Sequence, residues 1–295
     1  VIIAKPLSIS VLVLTYNEAA NLPYLLDSLR GWVSRICIVD SGSTDETLTI
    51  AQAYGAEVAE HSWTTYADQF NWGLQHFALQ TEWVMRMDAD EYVLPALAEE
   101  LRQVLPSLPT TVTGLYVKRR VYFWGRWIRH GGYYPTWLLR IFRTGVGHCE
   151  NRWMDEHIVL SQGETQQLQH DIVDENHKDL RFWTLKHEGY AGREAMDATG
   201  MRPQHSGYQE IESRLLGGRQ DEQKRWVKGN LYQRLPLFWR VGLYFVLRYV
   251  FLGGFLDGRE GLIFHTLQGF WYRFYVDAKI AEMRRSAQAA QQPGR

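Results

Sequence analysis

The sequence predicts an α/β fold: a mostly parallel, doubly wound sheet with flanking helices, followed by a helical, aromatic-rich C-terminal extension. Three observations carry that expectation. Short, nearly continuous apolar and β-branched runs alternate with amphipathic segments, as strands covered on both faces require. Each of the main runs gives way to a polar cluster at its carboxyl end, where open α/β sheets bind ligands. Beyond about residue 200 the composition changes, and the chain becomes basic and crowded with Trp, Tyr and Phe.

Ser8 to Leu14 is the first such run, ending at Thr15-Tyr16-Asn17-Glu18. Asn21 then reads as a helix cap, with Pro23 in the first turn of the amphipathic stretch Leu22, Leu25, Leu26, Leu29. Arg35 to Val39 is the second strand and runs into Asp40-Ser41-Gly42-Ser43-Thr44-Asp45. Strand, helix and strand make a right-handed βαβ unit. A helix over 45–54 closed by Gly55, a strand over 56–60 and a helix over 66–79 lead to the strand Trp83 to Met87. That strand opens into Asp88-Ala89-Asp90-Glu91, and two carboxylates two residues apart leave the same face of an extended chain. So placed they repel unless a cation lies between them, and the usual one is a hard divalent ion, Mg2+ or Mn2+. The alternative is an acidic turn at a helix N-terminus, where negative charge is stabilised.

Further on, the pattern predicts a helix over 95–105, strands over 114–123 and 137–143, a strand through Ile172-Val173 and a helix over 179–199. Between them lies a second polar cluster, Asn151-Arg152-Trp153-Met154-Asp155-Glu156-His157. Arg140 and Arg143 read as solvated strand arginines, and His157 as a structural histidine.

The 295 residues allow one large or two small domains with a sizeable core. A net charge of −1 advertises no nucleic-acid partner, although residues 202–295 hold 15 Lys and Arg against 8 Asp and Glu. Cys37 and Cys149 stand far apart, which points to a reducing compartment and excludes a disulfide framework or zinc cluster. The apolar stretch Ile2 to Leu14, with Lys5 and Pro6 in it, suits a first strand better than a secretory signal. No Gly-x-Gly-x-x-Gly follows the first strand and no Gly-Lys-Ser/Thr occurs, so dinucleotide and P-loop fingerprints are absent. A nucleotide site built from side chains plus a metal remains.

Three motifs in this order resemble family 2 glycosyltransferases: Val13-Leu14-Thr15-Tyr16-Asn17-Glu18 with Asn21-Leu22, Val39-Asp40-Ser41-Gly42-Ser43-Thr44-Asp45, and Asp88-Ala89-Asp90. The likeness covers residues 7–200, and its later part is most similar to bacterial, non-processive members of surface-glycan and lipopolysaccharide synthesis. It implies a GT-A domain over residues 1–200, a nucleotide-sugar donor such as a UDP-sugar, and inversion at the anomeric centre. It further implies that Thr15, Asn17, Glu18, Asp40, Ser41 and Asp88 bind the nucleotide, with Asp40 accepting from the uracil ring N–H. Asp90, helped by Asp88, would hold Mg2+ or Mn2+, and Asp155 or Glu156 would be the base that takes the acceptor's proton. Three other readings stay open: a polyprenyl-phosphate sugar transferase needing no base, a nucleotidyltransferase, and a non-catalytic sugar-nucleotide-binding protein.

Residues 201–295 form the basic, aromatic region. Leu235 to Leu256 has the length of a membrane span, but Arg240 and Arg248 interrupt it. Aromatic rings beside arginines suit a headgroup interface, and Lys224, Arg225, Lys228 and Arg234 would add attraction to anionic lipid. A second stretch, Leu262 to Val276, is of the same kind; a helical hairpin packed internally or between subunits is the alternative. The expected setting is the cytoplasmic face of a membrane, with a lipid-linked or lipopolysaccharide-type acceptor.

Overall fold

The computed structural model describes residues 5–151, 156–201 and 220–290. In chain order the elements are β1 (Leu7–Thr15), α1 (Leu22–Leu29), β2 (Val33–Asp40), α2 (Thr47–Ala53), β3 (Glu57–Glu60), α3 (Tyr66–His76), β4 (Trp83–Asp88), β5 (Glu91–Val93), α4 (Pro95–Val104) and β6 (Val112–Phe123). They continue with β7 (Arg126–Ile128), β8 (Thr136–Arg143), β9 (Gly147–Cys149), β10 (Ile158–Leu160), β11 (Glu164–Glu175), α5 (Leu180–Thr199), α6 (Gln220–Asn230), α7 (Trp239–Val246), α8 (Gly258–Phe264) and α9 (Tyr272–Ala290). The chain divides into two compact units, residues 1–125 with 135–177, and residues 126–134 with 178–295.

The first unit is built on a sheet in the order β3-β2-β1-β4-β8-β6-β11-β5. Strands β3, β2, β1 and β4 run parallel, the doubly wound half that the sequence predicts. Strand β8 is antiparallel to β4 and β6, β11 is parallel to β6, and β5 is antiparallel to β11, so the whole sheet is mixed. Alternate residues of β1 serve opposite faces. Ile9, Val11 and Val13 pack with Leu22, Leu25, Leu26 and Leu29 of α1, while Leu12 packs with Phe70, Val84 and Phe142. That two-sided burial is why the strand reads as unbroken apolar sequence. Gly73 lets α3 close on the sheet, since a Cβ there would meet Val39 Cγ2 at 2.7 Å.

In the second unit α5 packs on α9 through Ala191, Ala195, Tyr272, Val276 and Ile280. The sequence places α5 with the first domain; its apolar partners lie in the C-terminal region instead. Asp179 caps it, accepting from Phe182 N at 2.8 Å, and Gly200 ends it in the left-handed conformation. The polar residues from Ser286 to Ala290 continue α9.

The basic residues of this unit depart from expectation. Arg240 is buried and its Nε donates to Asp277 Oδ1 at 2.9 Å, while Asp277 also accepts from Phe238 N at 2.7 Å. Arg248 lies over the Tyr133 ring at 4.0 Å, donates to Gly131 O at 2.6 Å and bonds Tyr244 Oη. Neither guanidinium snorkels. Lys228 pairs with Glu194 at 2.8 Å, and the side chains of Lys224 and Arg225 lie outside the described residues. Two residues of the 126–134 segment are tied down by buried Asp257, which accepts from His130 N at 2.9 Å and from Arg129 N at 3.2 Å.

Glu194 gathers Tyr272 Oη at 2.7 Å, Arg273 Nη1 at 2.9 Å and Lys228 Nζ at 2.8 Å. Burial alone would raise its carboxyl, but Arg273 and Lys228 outweigh burial and hold it down to about 2. The folded chain therefore releases this proton at lower pH than the unfolded chain. The resulting stability is complete above about 4.5 and is lost as pH falls toward 2. Glu194→Gln is expected to cost about 3 kcal/mol in urea unfolding at pH 7 and progressively less between pH 4.5 and 2.

Candidate active site

The parallel register brings the predicted residues to one edge of the first unit. Thr15 stands beside Asp40, and Leu14, the residue before Thr15, stands beside Asp88. Adjacent strands lie about 4.8 Å apart, so the ends of β2, β1 and β4 present Asp40, Thr15 and Asp88 in one row.

Asp40 is wholly buried and its lone pairs are filled from within. Oδ2 accepts from Thr15 Oγ1 at 2.7 Å and Ser43 Oγ at 2.6 Å; Oδ1 accepts from Gly42 N at 2.9 Å and Ser43 N at 2.7 Å. A carboxylate offers about four such positions, so Asp40 shapes the loop after β2 in this state. Ser41 N donates to Thr15 O at 3.0 Å, and Ser41 Oγ accepts from buried Gln69 Nε2 at 2.9 Å.

The two loops also hold each other. Asn17, at a positive φ of 54°, accepts from Thr44 N at 2.7 Å through Oδ1, and its own N–H donates to Ser43 Oγ at 2.8 Å. Glu18 N donates to Thr47 Oγ1 at 2.7 Å, and Glu18 Oε2 accepts from Asn21 Nδ2 at 2.7 Å. Asn21 occupies the position before α1, but its side chain caps nothing. Its Nδ2 donates to Glu18 Oε2, and its Oδ1 accepts from the backbone N–H of His177 at 2.8 Å.

At the acidic strand, Asp88 Oδ1 accepts from Tyr66 Oη at 2.7 Å and Oδ2 from Arg140 Nη2 at 2.9 Å. Arg140 also bonds buried Glu91 Oε1, and Glu91 Oε2 accepts from Asp88 N at 3.0 Å. Arg140 is only 3% exposed, which corrects the expectation of a solvated strand arginine. Its neighbours Trp137 to Phe142 are apolar on both faces of β8, and a charge in such a run must carry its partners inside. Burial works to raise the Asp88 carboxyl, but Arg140, Arg86 and the Tyr66 hydroxyl hold it well below the usual carboxylate range. Burial pushes Glu91 the other way, upward, against the pull of Arg140. Arg143, at the end of the run, donates to Glu82 Oε1 at 2.5 Å and lies over the Trp83 ring at 4.5 Å.

Asp90 Oδ2 accepts from Asn176 Nδ2 at 3.0 Å. Among the described residues no three His, Cys, Asp or Glu converge on a metal position. Asp88 and Asp90 still fit the protein's share of a Mg2+ or Mn2+ site, because both are hard oxygen donors and such ions keep waters and substrate phosphates as their remaining ligands.

Of the acceptor-side pair, Asp155 lies outside the described residues. Glu156 is half-buried, and its carbonyl accepts from Arg86 Nη1 at 3.3 Å. Arg86 lies 4.2 Å over the Tyr66 ring, so one side chain links this segment to the acidic strand. His157 is structural, its N–H donating to buried Glu150 Oε1 at 2.9 Å and its Nδ1 lying 3.2 Å from the same oxygen. Tyr66, Gln69, Arg86 and Glu150, which bond to these residues and loops, carry no local sequence signal.

The family model for glycosyl transferase family 2 matches residues 10–160, just over half of the chain and all of the strand ends described above. The chain belongs to that family. An uncharacterised glycosyltransferase of Rickettsia felis is 32% identical over 99 residues, 34% of either chain. The lipopolysaccharide core biosynthesis glycosyltransferase LpsC of Rhizobium meliloti is 32% identical over 154 residues, 49% of this chain and 54% of that one. The chain thus spans between a third and about half of the length of these relatives. A glucosyl-3-phosphoglycerate synthase of Mycobacterium tuberculosis, solved with Mn2+, UDP and glucosyl-3-phosphoglycerate, is 25% identical over 39% of this chain and 44% of its own, with a TM-score of 0.32. Membership of glycosyl transferase family 2 agrees with the α/β sheet and with the absence of a P-loop.

Proposed function

We propose that this family 2 glycosyltransferase carries out metal-dependent, inverting transfer of a sugar from a UDP-sugar to a lipid-linked or lipopolysaccharide-type glycan, at the cytoplasmic face of a membrane. The observation that carries the reading is the row Thr15, Asp40 and Asp88 at one sheet edge, with Asn17, Glu18, Ser41 and Asp90 on the loops beside it. The likeness to LpsC supports the acceptor class.

Asp40 selects the base in this reading. Two of its four bonds come from hydroxyls, Thr15 and Ser43, which rotate at little cost. Turning one away frees a lone pair for the uracil ring N–H, whereas the two backbone donors stay fixed. Asp88, kept ionised by Arg140, faces the ribose, and Asp90 with Asp88 holds Mg2+ or Mn2+. When bound, the ion offsets the charge that develops on the departing diphosphate. Asp155 or Glu156 removes the acceptor hydroxyl proton as that oxygen attacks the anomeric carbon.

A thermal-shift series with UDP, UDP-sugars and nucleoside triphosphates, with and without Mn2+, tests the reading. Ligand at a hundredfold excess over Kd stabilises the folded state by about 2.7 kcal/mol. The expected result is a Mn2+-dependent rise with uridine diphosphates; a rise with nucleoside triphosphates alone would replace the reading with nucleotidyl transfer.

A further inference from the structure

Taking the membrane-borne acceptor proposed above as the starting point, we infer that the outer face of the segment 238–256 is a docking surface for an anionic lipid bilayer, lying in the headgroup layer without crossing it. Trp239, Leu243, Leu247, Val250, Phe251 and Phe255 recur at three- and four-residue spacing and are all exposed, Trp239 to 77% and Phe251 to 76%. Soluble monomers rarely leave so contiguous an apolar strip in water.

Three features identify lipid as its occupant. Residues 235–256 contain no Asp or Glu, and their two arginines turn inward to Asp277 and to Gly131 and Tyr244, so the outer face carries no charge at all. Charge stands at its margins and is mostly positive. Arg234 precedes the strip, Arg259 follows it, both exposed, and the exposed Arg126 guanidinium lies within 3.9 Å of a Cβ built on Gly258; half-buried Glu260 is a partial counterweight. An uncharged apolar strip with a basic margin matches the acyl boundary below a phosphate layer, where each Lys or Arg adds about 1 kcal/mol. A second copy fits less well, because a two-fold contact would set these basic margins against each other.

The bend argues against crossing. Trp239–Phe251 and Gly254–Ala289 reach the length and composition of a span only when taken together, and a 65° bend breaks the pair; among the described residues no single helix is long and apolar enough to cross a membrane. Thirteen residues rise about 20 Å, short of the roughly 30 Å hydrocarbon core. One side of this segment is also committed to the protein by the buried Arg240–Asp277 pair.

Co-sedimentation of the whole chain with vesicles of phosphatidylcholine alone, or with about a third phosphatidylglycerol, tests the inference. The wild type is expected to pellet with the anionic vesicles. Leu247→Glu with Phe251→Glu should lower the partition coefficient at least about tenfold, and Arg259→Glu should weaken binding to anionic vesicles alone, in a salt-dependent way. These side chains face water, so the melting temperature and its UDP–Mn2+ shift are expected to stay unchanged in every variant. A wild type that remains in the supernatant while still responding to UDP overturns the docking surface and leaves the donor site intact. Pelleting without any nucleotide response supports the surface and removes the UDP-sugar donor reading. A dimer in light scattering that Phe251→Glu converts to monomer overturns lipid in favour of a second copy.

Discussion

Asp90→Ala is expected to slow sugar transfer by about 10²–10³-fold while leaving the fold in place. A divalent ion contributes several kcal/mol to stabilising charge on a departing phosphate, and each 1.36 kcal/mol is a factor of about ten in rate. The local structure loses little: the Asp90 side chain accepts from Asn176 at 3.0 Å, and one such bond is worth about 1 kcal/mol. Single-turnover rates across a Mn2+ titration check the effect, alongside melting temperatures with UDP. The variant should lose the Mn2+-dependent part of the UDP shift, with an unliganded melting temperature within about 4 °C of the wild type's. Rates equal to the wild type at saturating Mn2+ would move metal binding away from Asp90.

The parallel half of the sheet and the positions of Thr15, Asn17, Asp40, Asp88 and Asp90 were legible because each sits in a contiguous strand-to-loop motif. The strand is apolar on both faces, and the polar cluster marks its carboxyl end without reference to anything distant. Arg140 was misplaced because its partners, Asp88 and Glu91, lie 52 and 49 residues away and only the antiparallel placement of β8 beside β4 brings them together. The run Trp137 to Phe142 held the clue, since an arginine flanked by apolar residues on both faces has no route to water.

The same reason explains the C-terminal arginines. Arg240 finds Asp277, 37 positions on, and Arg248 finds Gly131, 117 positions back. Several of the apolar residues around them are exposed, but the direction in which each charge turned depended on contacts no local pattern encodes. Asn21 failed differently. Its position before a helix was right, yet a carboxylate three residues earlier and the amide of His177 offered its side chain better partners than the helix did.

Arg140→Met is expected to be the most damaging single change in the first unit, at about 3–5 kcal/mol, because removing one partner of a buried ion cluster leaves its carboxylates uncompensated. Glu91 is 1% exposed and has no water to turn to. Arg86 is no substitute: its Nε is 3.8 Å from Asp88 Oδ1, and its guanidinium is held over Tyr66 and by the Glu156 carbonyl. Arg140→Lys should recover only part of the loss, since a single ammonium cannot reproduce the guanidinium's two contacts. Urea unfolding of Arg140→Met, Glu91→Gln and the double variant forms a cycle, and the coupling should be large because both residues belong to one cluster. The double variant is expected to regain part of the stability, since it removes the buried charge at Glu91, while Asp88 stays uncompensated. It should not regain nucleotide binding, because Asp88 then lacks the cation that fixes its orientation at the end of β4. A double variant that restores both would make Arg140 a partner of Glu91 alone, and Asp88 independent of it.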